Sequence, residues 1–247
     1  MNIPRLLLFL LGAGSAAAPL PAAETVIVAF GDSTTAARPP LSVYAELLPP
    51  RLAAELGVTV KIINAGVRGN TTEHARQRLA ADVLAKQPDL VVIQFGINDS
   101  AMDVWKDPPV THTRVTKETY RKNLEYFVAE IRRQHGQVMF MTPNPKQWSE
   151  KMRELYGKPP YQVDDPDGFN LNLRPFAEEM RQVAKELEVP MLDVMAAYDA
   201  HHRANPENSL LSDGIHPNQA GQQLVADLLL EFLREHSWLL EVKSAKK

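Results

Sequence analysis

The chain has 247 residues, of which 45% are hydrophobic, with 27 basic residues against 30 acidic ones and no cysteine. That length can bury a full core and fits one large domain better than two small ones. The lack of cysteine excludes disulfides and lipid attachment to an N-terminal cysteine, so stability rests on the core alone.

Arg5, the apolar run Leu6 to Leu11 and the mostly small residues through Ala23 form the charged, apolar and small-residue zones of a secretory signal. Residues 1–23 are therefore expected to be a signal peptide, removed on export to a periplasmic or extracellular site of bacterial type. The apolar run is too short for a stable transmembrane anchor, so no stable membrane insertion is expected after cleavage; retention of the segment is the alternative. Without residues 1–23, 26 basic residues stand against 30 acidic ones, a net charge of -4 that argues against nucleic acid as a partner.

From Thr25 onward, short apolar runs rich in β-branched residues alternate with amphipathic stretches, the rhythm of βαβ units around a parallel sheet. Strands are predicted over Thr25 to Phe30, Val58 to Asn64, Leu90 to Phe95, Gln137 to Thr142 and Val189 to Val194. Helices are predicted over Ser42 to Leu56, Thr72 to Lys86, Thr116 to His135, Leu171 to Leu187 and Asn218 to His236. Gly57 and Gly136 follow helices where a left-handed residue would close the last turn. Pro49 and Pro50 predict a kink or break in the first helix. No repeat or linker divides the remainder, so residues 24–247 are expected to be a single domain. Two long connections, at about 100–115 and 143–170, leave the carboxyl ends of strands, the edge where open α/β sheets bind ligands.

Four short blocks fall near that edge. Gly31-Asp32-Ser33-Thr34-Thr35 presents a serine hydroxyl at a strand-to-helix turn, beside backbone donors. Asn64-Ala65-Gly66-Val67-Arg68-Gly69-Asn70 has glycines that let the backbone approach a reacting group. Gly96-Ile97-Asn98-Asp99 offers a neutral side-chain amide, a donor that needs no proton of its own to stabilise a developing oxyanion. Asp213-Gly214-Ile215-His216-Pro217 sets an acid and an imidazole three residues apart, so that a neutral His216 can take a proton from Ser33 while Asp213 orients the ring. Taken singly, each block also reads as ordinary turn chemistry, and His216 as a satisfied core or surface histidine.

Together and in this order, from Gly31 to Pro217, the blocks resemble the SGNH (GDSL-like) hydrolase family. The family's Ser, Gly, Asn and His fall on Ser33, Gly69, Asn98 and His216, and its acid on Asp213. The resemblance implies a three-layer α/β/α sandwich with a flavodoxin-like, five-stranded parallel sheet. It also implies a serine esterase acting through an acyl-enzyme without metal or cofactor, its oxyanion hole formed by the Ser33 and Gly69 amides and the Asn98 side chain. Thr34 departs from the leucine of the GDSL name and looks more like members acting on acetylated carbohydrates.

Trp105, Trp148, Tyr156, Tyr161 and Phe169 lie in the two long connections, where rings can stack on sugar faces or pack the insertions onto the domain. Arg68 is a candidate contact at the site mouth or one half of a surface ion pair. Trp105, Trp148, Tyr161 and Arg68 are taken as substrate-binding candidates. Asn70 and Asp99 are candidates for bracing the Gly69 and Asn98 loops. His201-His202 has no third metal ligand at suitable spacing. The expected reaction is removal of a small acyl group, acetyl foremost, from a carbohydrate or small-molecule ester. The alternatives are a lysophospholipase- or thioesterase-like lipid ester hydrolase and a non-catalytic glycan-binding protein.

Overall fold

A computed structural model describes residues 24–236. The expected signal segment lies outside them. Five parallel strands form one sheet: β1 (Thr25–Gly31), β2 (Val60–Gly66), β3 (Leu90–Gln94), β4 (Gln137–Met141) and β5 (Met191–Leu192), in spatial order β2-β1-β3-β4-β5. This is the flavodoxin-like order, whose reversal between β1 and β3 opens a crevice at the carboxyl edge.

Seven α-helices accompany the sheet: α1 (Tyr44–Leu56), α2 (Thr72–Asp82), α3 (Lys117–Arg133), α4 (Glu150–Tyr156), α5 (Leu173–Glu186), α6 (Val194–Ala204) and α7 (Gln219–Glu235). Successive strand residues point to opposite faces. Ile27, Ala29, Leu90, Val92, Met139 and Met141 bury one face against α1, α6 and α7. Val28, Phe30, Val91, Ile93, Val138 and Phe140 bury the other against α2, α3 and α5. The sequence is correspondingly apolar at consecutive strand positions, as a doubly covered sheet requires. On the second face Phe30 meets Phe95 and Phe127 edge-on at 5.2 and 5.6 Å, contacts worth roughly 0.5–1.5 kcal/mol each beyond their area.

Several local expectations need correction. α1 runs unbroken through Pro49 and Pro50; its apolar side, with Tyr44, Ala45, Leu48 and Leu52 buried, holds the helix against α7 despite two missing amide donors. Gly57 is left-handed as expected (φ 64°), but after α3 the left-handed residue is His135 (φ 64°) rather than Gly136. Gly136 is needed for a different reason: a Cβ there would sit 2.9 Å from Ile131 Cγ2 and 3.1 Å from the Pro88 carbonyl oxygen. The last strand spans only Met191–Leu192, shorter than predicted. α4 and α6 are additional, each entered through a capping side chain, Ser149 to the Met152 amide and Asp193 to the Ala196 amide.

The two long connections cover the carboxyl edge. Met102, Val104, Met152, Tyr161 and Phe169 form a small apolar cluster of their own, joining both insertions.

Candidate active site

Ser33 stands two residues past the end of β1. The buried Asp32 carboxylate accepts from the Thr34 amide and hydroxyl, both at 2.9 Å, and fixes the turn. Burial raises the Asp32 pKa, while the Thr34 hydrogen bonds oppose the rise.

The loop before α7 brings His216 to this turn. Its Nε2 lies 2.9 Å from Ser33 Oγ, and its Nδ1 lies 2.7 Å from Asp213 Oδ2. Asp213 Oδ1 also accepts from the amides of Ile215 (3.0 Å) and His216 (2.8 Å). Partial burial would raise the Asp213 pKa, but the hydrogen bonds from the His216 ring and from these two amides outweigh it and hold the carboxyl well below its ordinary value. An ionised Asp213 places the proton on Nδ1 and leaves Nε2 as an acceptor facing the Ser33 hydroxyl. The loop is located by Asn218, which caps α7 through the Gly221 amide at 2.9 Å and ties back to the Ser209 carbonyl at 2.8 Å.

Gly69 and Asn98 arrive on the loops after β2 and β3. Gly69 is left-handed (φ 76°). Among the described residues, the backbone amides of Ser33 and Gly69 make no hydrogen bond, so both can donate to a ligand. The Asn98 amide donates to the Asn70 carbonyl (3.0 Å), and its Oδ1 accepts from Arg114 Nη1 (3.3 Å). The latter bond assigns the amide orientation, with Nδ2 toward the Asn70 carbonyl and the Asp32 carboxylate, at the cavity wall. Arg114 is itself held by Asp103, at 2.6 Å.

The bracing residues tie these loops to one another. Asn70 Oδ1 accepts from Arg78 Nε (2.7 Å), and the same guanidinium donates to the carbonyls of Ala65 (2.8 Å) and Gly31 (3.0 Å). One side chain on α2 thus clamps the ends of β1 and β2. Asp99, fully buried, accepts from the Thr72 amide (2.8 Å) and hydroxyl at the start of α2. Burial pushes its carboxyl up to about 7 against these bonds, and its Oδ2 has no hydrogen-bond partner among the described residues.

A cavity of about 420 Å³ opens over Ser33 and His216. Of the substrate-binding candidates, Arg68 and Tyr161 line it. Tyr161 is buried, and its hydroxyl accepts from the Met102 amide at 3.0 Å. Trp148 lies behind the wall, stacked on Phe169 at 4.5 Å with its Nε1 donating to the Asp165 carbonyl. Trp105, 46% exposed, is on the surface near Lys106 and not on the cavity wall. Three cationic lining residues escaped the sequence reading: Arg38, Arg114 and Lys146. Among the described residues no group of three or more acidic or histidine side chains is placed to hold a metal ion, and His201 and His202 belong to a separate groove.

Residues 29–224 match the model of the GDSL-like Lipase/Acylhydrolase family. The chain belongs to that family. It is 33% identical over 177 residues to the uncharacterized lipoprotein YqeF of Bacillus subtilis strain 168, covering 68% of this chain and 69% of that protein. It is 27% identical over 184 residues to an acetylxylan esterase of Geobacillus stearothermophilus, covering 73% of each. The crystal structure of a lipase/acylhydrolase from Enterococcus faecalis superposes with a TM-score of 0.65 at 26% identity, over 86% of this chain and 96% of that one. The GDSL-like family member described here is a carboxylic ester hydrolase with the α/β/α fold of the SGNH enzymes.

Proposed function

We propose that this hydrolase uses Ser33 as nucleophile, His216 as general base and acid, and Asp213 to orient the imidazole, removing small acyl groups, acetyl foremost, from a carbohydrate. The observation that carries the reading is the continuous chain from Ser33 Oγ to His216 Nε2 (2.9 Å) and from Nδ1 to Asp213 (2.7 Å), beside two unengaged backbone amides.

In the first half-reaction Ser33 Oγ bonds to the ester carbonyl carbon as its proton passes to His216 Nε2. Negative charge moves onto the carbonyl oxygen, which takes hydrogen bonds from the Ser33 and Gly69 amides and from Asn98. The carbon–oxygen bond to the alcohol then breaks, and His216 returns the proton to the departing alkoxide. In the second half, water gives a proton to His216 while its oxygen bonds to the acyl carbon. The Ser33 bond breaks, the acid leaves and the proton returns to Ser33. Asp213 keeps the imidazole in the tautomer that both halves need.

The preference for a small acyl group on a carbohydrate is supported by similarity to an acetylxylan esterase and by the cavity's polar, ring-bearing wall, with Tyr156, Tyr161 and Phe169 beside Asn98 and Arg114. Export of residues 24–247 as one domain, with residues 1–23 as the signal, completes the proposal. The test is hydrolysis of p-nitrophenyl acetate and longer p-nitrophenyl esters by wild type and Ser33→Ala, followed by acetate release from acetylated polysaccharides. Acetyl preference with loss in Ser33→Ala is the expected result. Unchanged turnover in the variant removes Ser33, and faster turnover of long acyl chains moves the substrate to lipid esters.

A further inference from the structure

The cavity over Ser33 is lined by Arg38, Arg68, Arg114 and Lys146, and by no aspartate or glutamate. Of these cations, Arg114 alone has an ion-pair partner among the described residues, Asp103. Arg38 and Arg68 spend single hydrogen bonds on the backbone carbonyls of Ser33 (3.4 Å) and Ala37 (3.2 Å).

Lys146 is the least expected of the four. It is 3% exposed, and its ammonium has neither a hydrogen bond nor an ion pair among the described residues. Its Nζ sits over the rings of Phe169 at 4.2 Å and Tyr161 at 5.3 Å. The backbone beneath it is fixed on both sides: the Lys146 amide donates to Asn170 Oδ1 (2.7 Å), and Asn170 Nδ2 donates to the Lys146 carbonyl (2.8 Å). A largely buried lysine ordinarily has a carboxylate partner, because an ammonium with little access to water is costly to leave without one. Two aromatic faces supply only part of that compensation.

From this arrangement we infer that the substrate brings the missing charge: the ester cleaved at Ser33 stands on an acidic glycan, whose anionic groups are received by this cationic lining, Lys146 foremost. The inference rests on the esterase reading above and narrows its substrate class from carbohydrates in general to sugars bearing a carboxylate, or a sulfate of the same charge. Burial first, and the Arg114 charge second, draw the Lys146 ammonium down to about 7; an anion docked beside it restores its charge. Stacking surfaces for a sugar ring lie on the same wall, in Tyr156, Tyr161 and Phe169.

Binding and turnover separate the two readings. Calorimetry with Ser33→Ala protein compares a uronic acid oligosaccharide, its neutral counterpart and a sulfated sugar of equal length. The acidic oligosaccharide is expected to bind at least tenfold more tightly than the neutral one, and Ser33→Ala/Lys146→Met is expected to lose most of that ratio. A sulfated sugar that binds as well as the uronide shows recognition of charge alone; weaker binding assigns the site to carboxylate. Arg68→Gln, at an exposed position, checks the same ratio in a variant whose fold is not at stake, with a severalfold loss expected. Equal affinity for acidic and neutral sugars, or a ratio untouched in both variants, overturns the inference, even if wild type cleaves p-nitrophenyl acetate. Selective binding without cleavage of that ester would instead sink the esterase reading and leave the anion site standing.

Discussion

Arg114 Nη1 donates to Asn98 Oδ1 at 3.3 Å while the same guanidinium is anchored on Asp103. The Asn98 amide is thereby turned so that its N–H groups face the Asn70 carbonyl and Asp32, at the wall of the cavity. On the proposed mechanism Arg114 is a positioning residue for an oxyanion donor, acting on the reaction through the amide it orients.

Removing the donor itself has the larger effect. Asn98→Ala is expected to lower kcat by about 100- to 1000-fold on a small activated ester, the range measured when one oxyanion-hole donor is deleted. KM should change much less, since the bond strengthens as charge develops. Steady-state kinetics on p-nitrophenyl acetate check this. A loss confined to KM would place Asn98 in ground-state binding instead.

Arg114→Met should lower kcat by roughly tenfold through a misoriented Asn98 amide, less than loss of the amide. The distinguishing readout is the double variant: added to Asn98→Ala, Arg114→Met should cost little further, because the group it orients has gone. Full additivity of the two losses would show that Arg114 acts independently of Asn98.

Arg78 joins the carbonyls of Gly31 and Ala65 to the side chain of Asn70. Arg78→Met leaves two strand-end carbonyls without a charged donor and should cost on the order of 2–4 kcal/mol in urea unfolding. Because those carbonyls end the strands that carry Ser33 and Gly69, kcat should fall as well. An unfolding midpoint equal to wild type would contradict the clamp.

Asp99 gives a pH-dependent prediction. Its carboxyl is raised to about 7 in the folded protein, against an ordinary value of about 3.9 when unfolded. Between those values the folded state binds more protons than the unfolded one, so this group's contribution to stability falls as pH rises from about 4 to about 7. Asp99→Asn keeps an oxygen for Thr72 and removes the titration. The variant should gain stability relative to wild type at pH 7, on the order of 1–3 kcal/mol, and lose that advantage near pH 4. A stability difference between the two proteins that is constant across this range would show that Asp99 is ionised throughout.

The residues of the candidate site were legible because each has local chemistry that survives without tertiary context. Ser33 follows an unbroken apolar strand, and His216 comes two residues before the α7 cap at Asn218. The sheet was equally readable, since strands buried on both faces are written as continuous apolar runs. What escaped depended on packing across the fold. Pro49 and Pro50 remain within a helix because its buried side is held by α7, which no local rule records. α6 carried a usable signal, Asp193 ahead of the buried Val194, Met195 and Tyr198, but the extended β5 prediction absorbed its start. Lys146 had no local signal, because a lysine in a polar insertion reads as solvated. Only the folded chain puts Phe169, Tyr161 and Asn170 around it.

Aromatic residues in the insertions illustrate the same limit. Trp148 and Tyr161 are aromatic residues of the same long connection, yet Trp148 supports Phe169 from behind while Tyr161 reaches the cavity wall. Their separation is set by the capping of α4 at Ser149 and the turn at Tyr161, which only the folded insertion reveals.

The mechanism turns on an acyl-enzyme, which rapid acid quench of wild type during p-nitrophenyl acetate turnover, followed by peptide mass spectrometry, would trap. An acetylated peptide with the modification on Ser33, absent from Ser33→Ala, is expected. Acetylation of a different residue at the rate of turnover would contradict it.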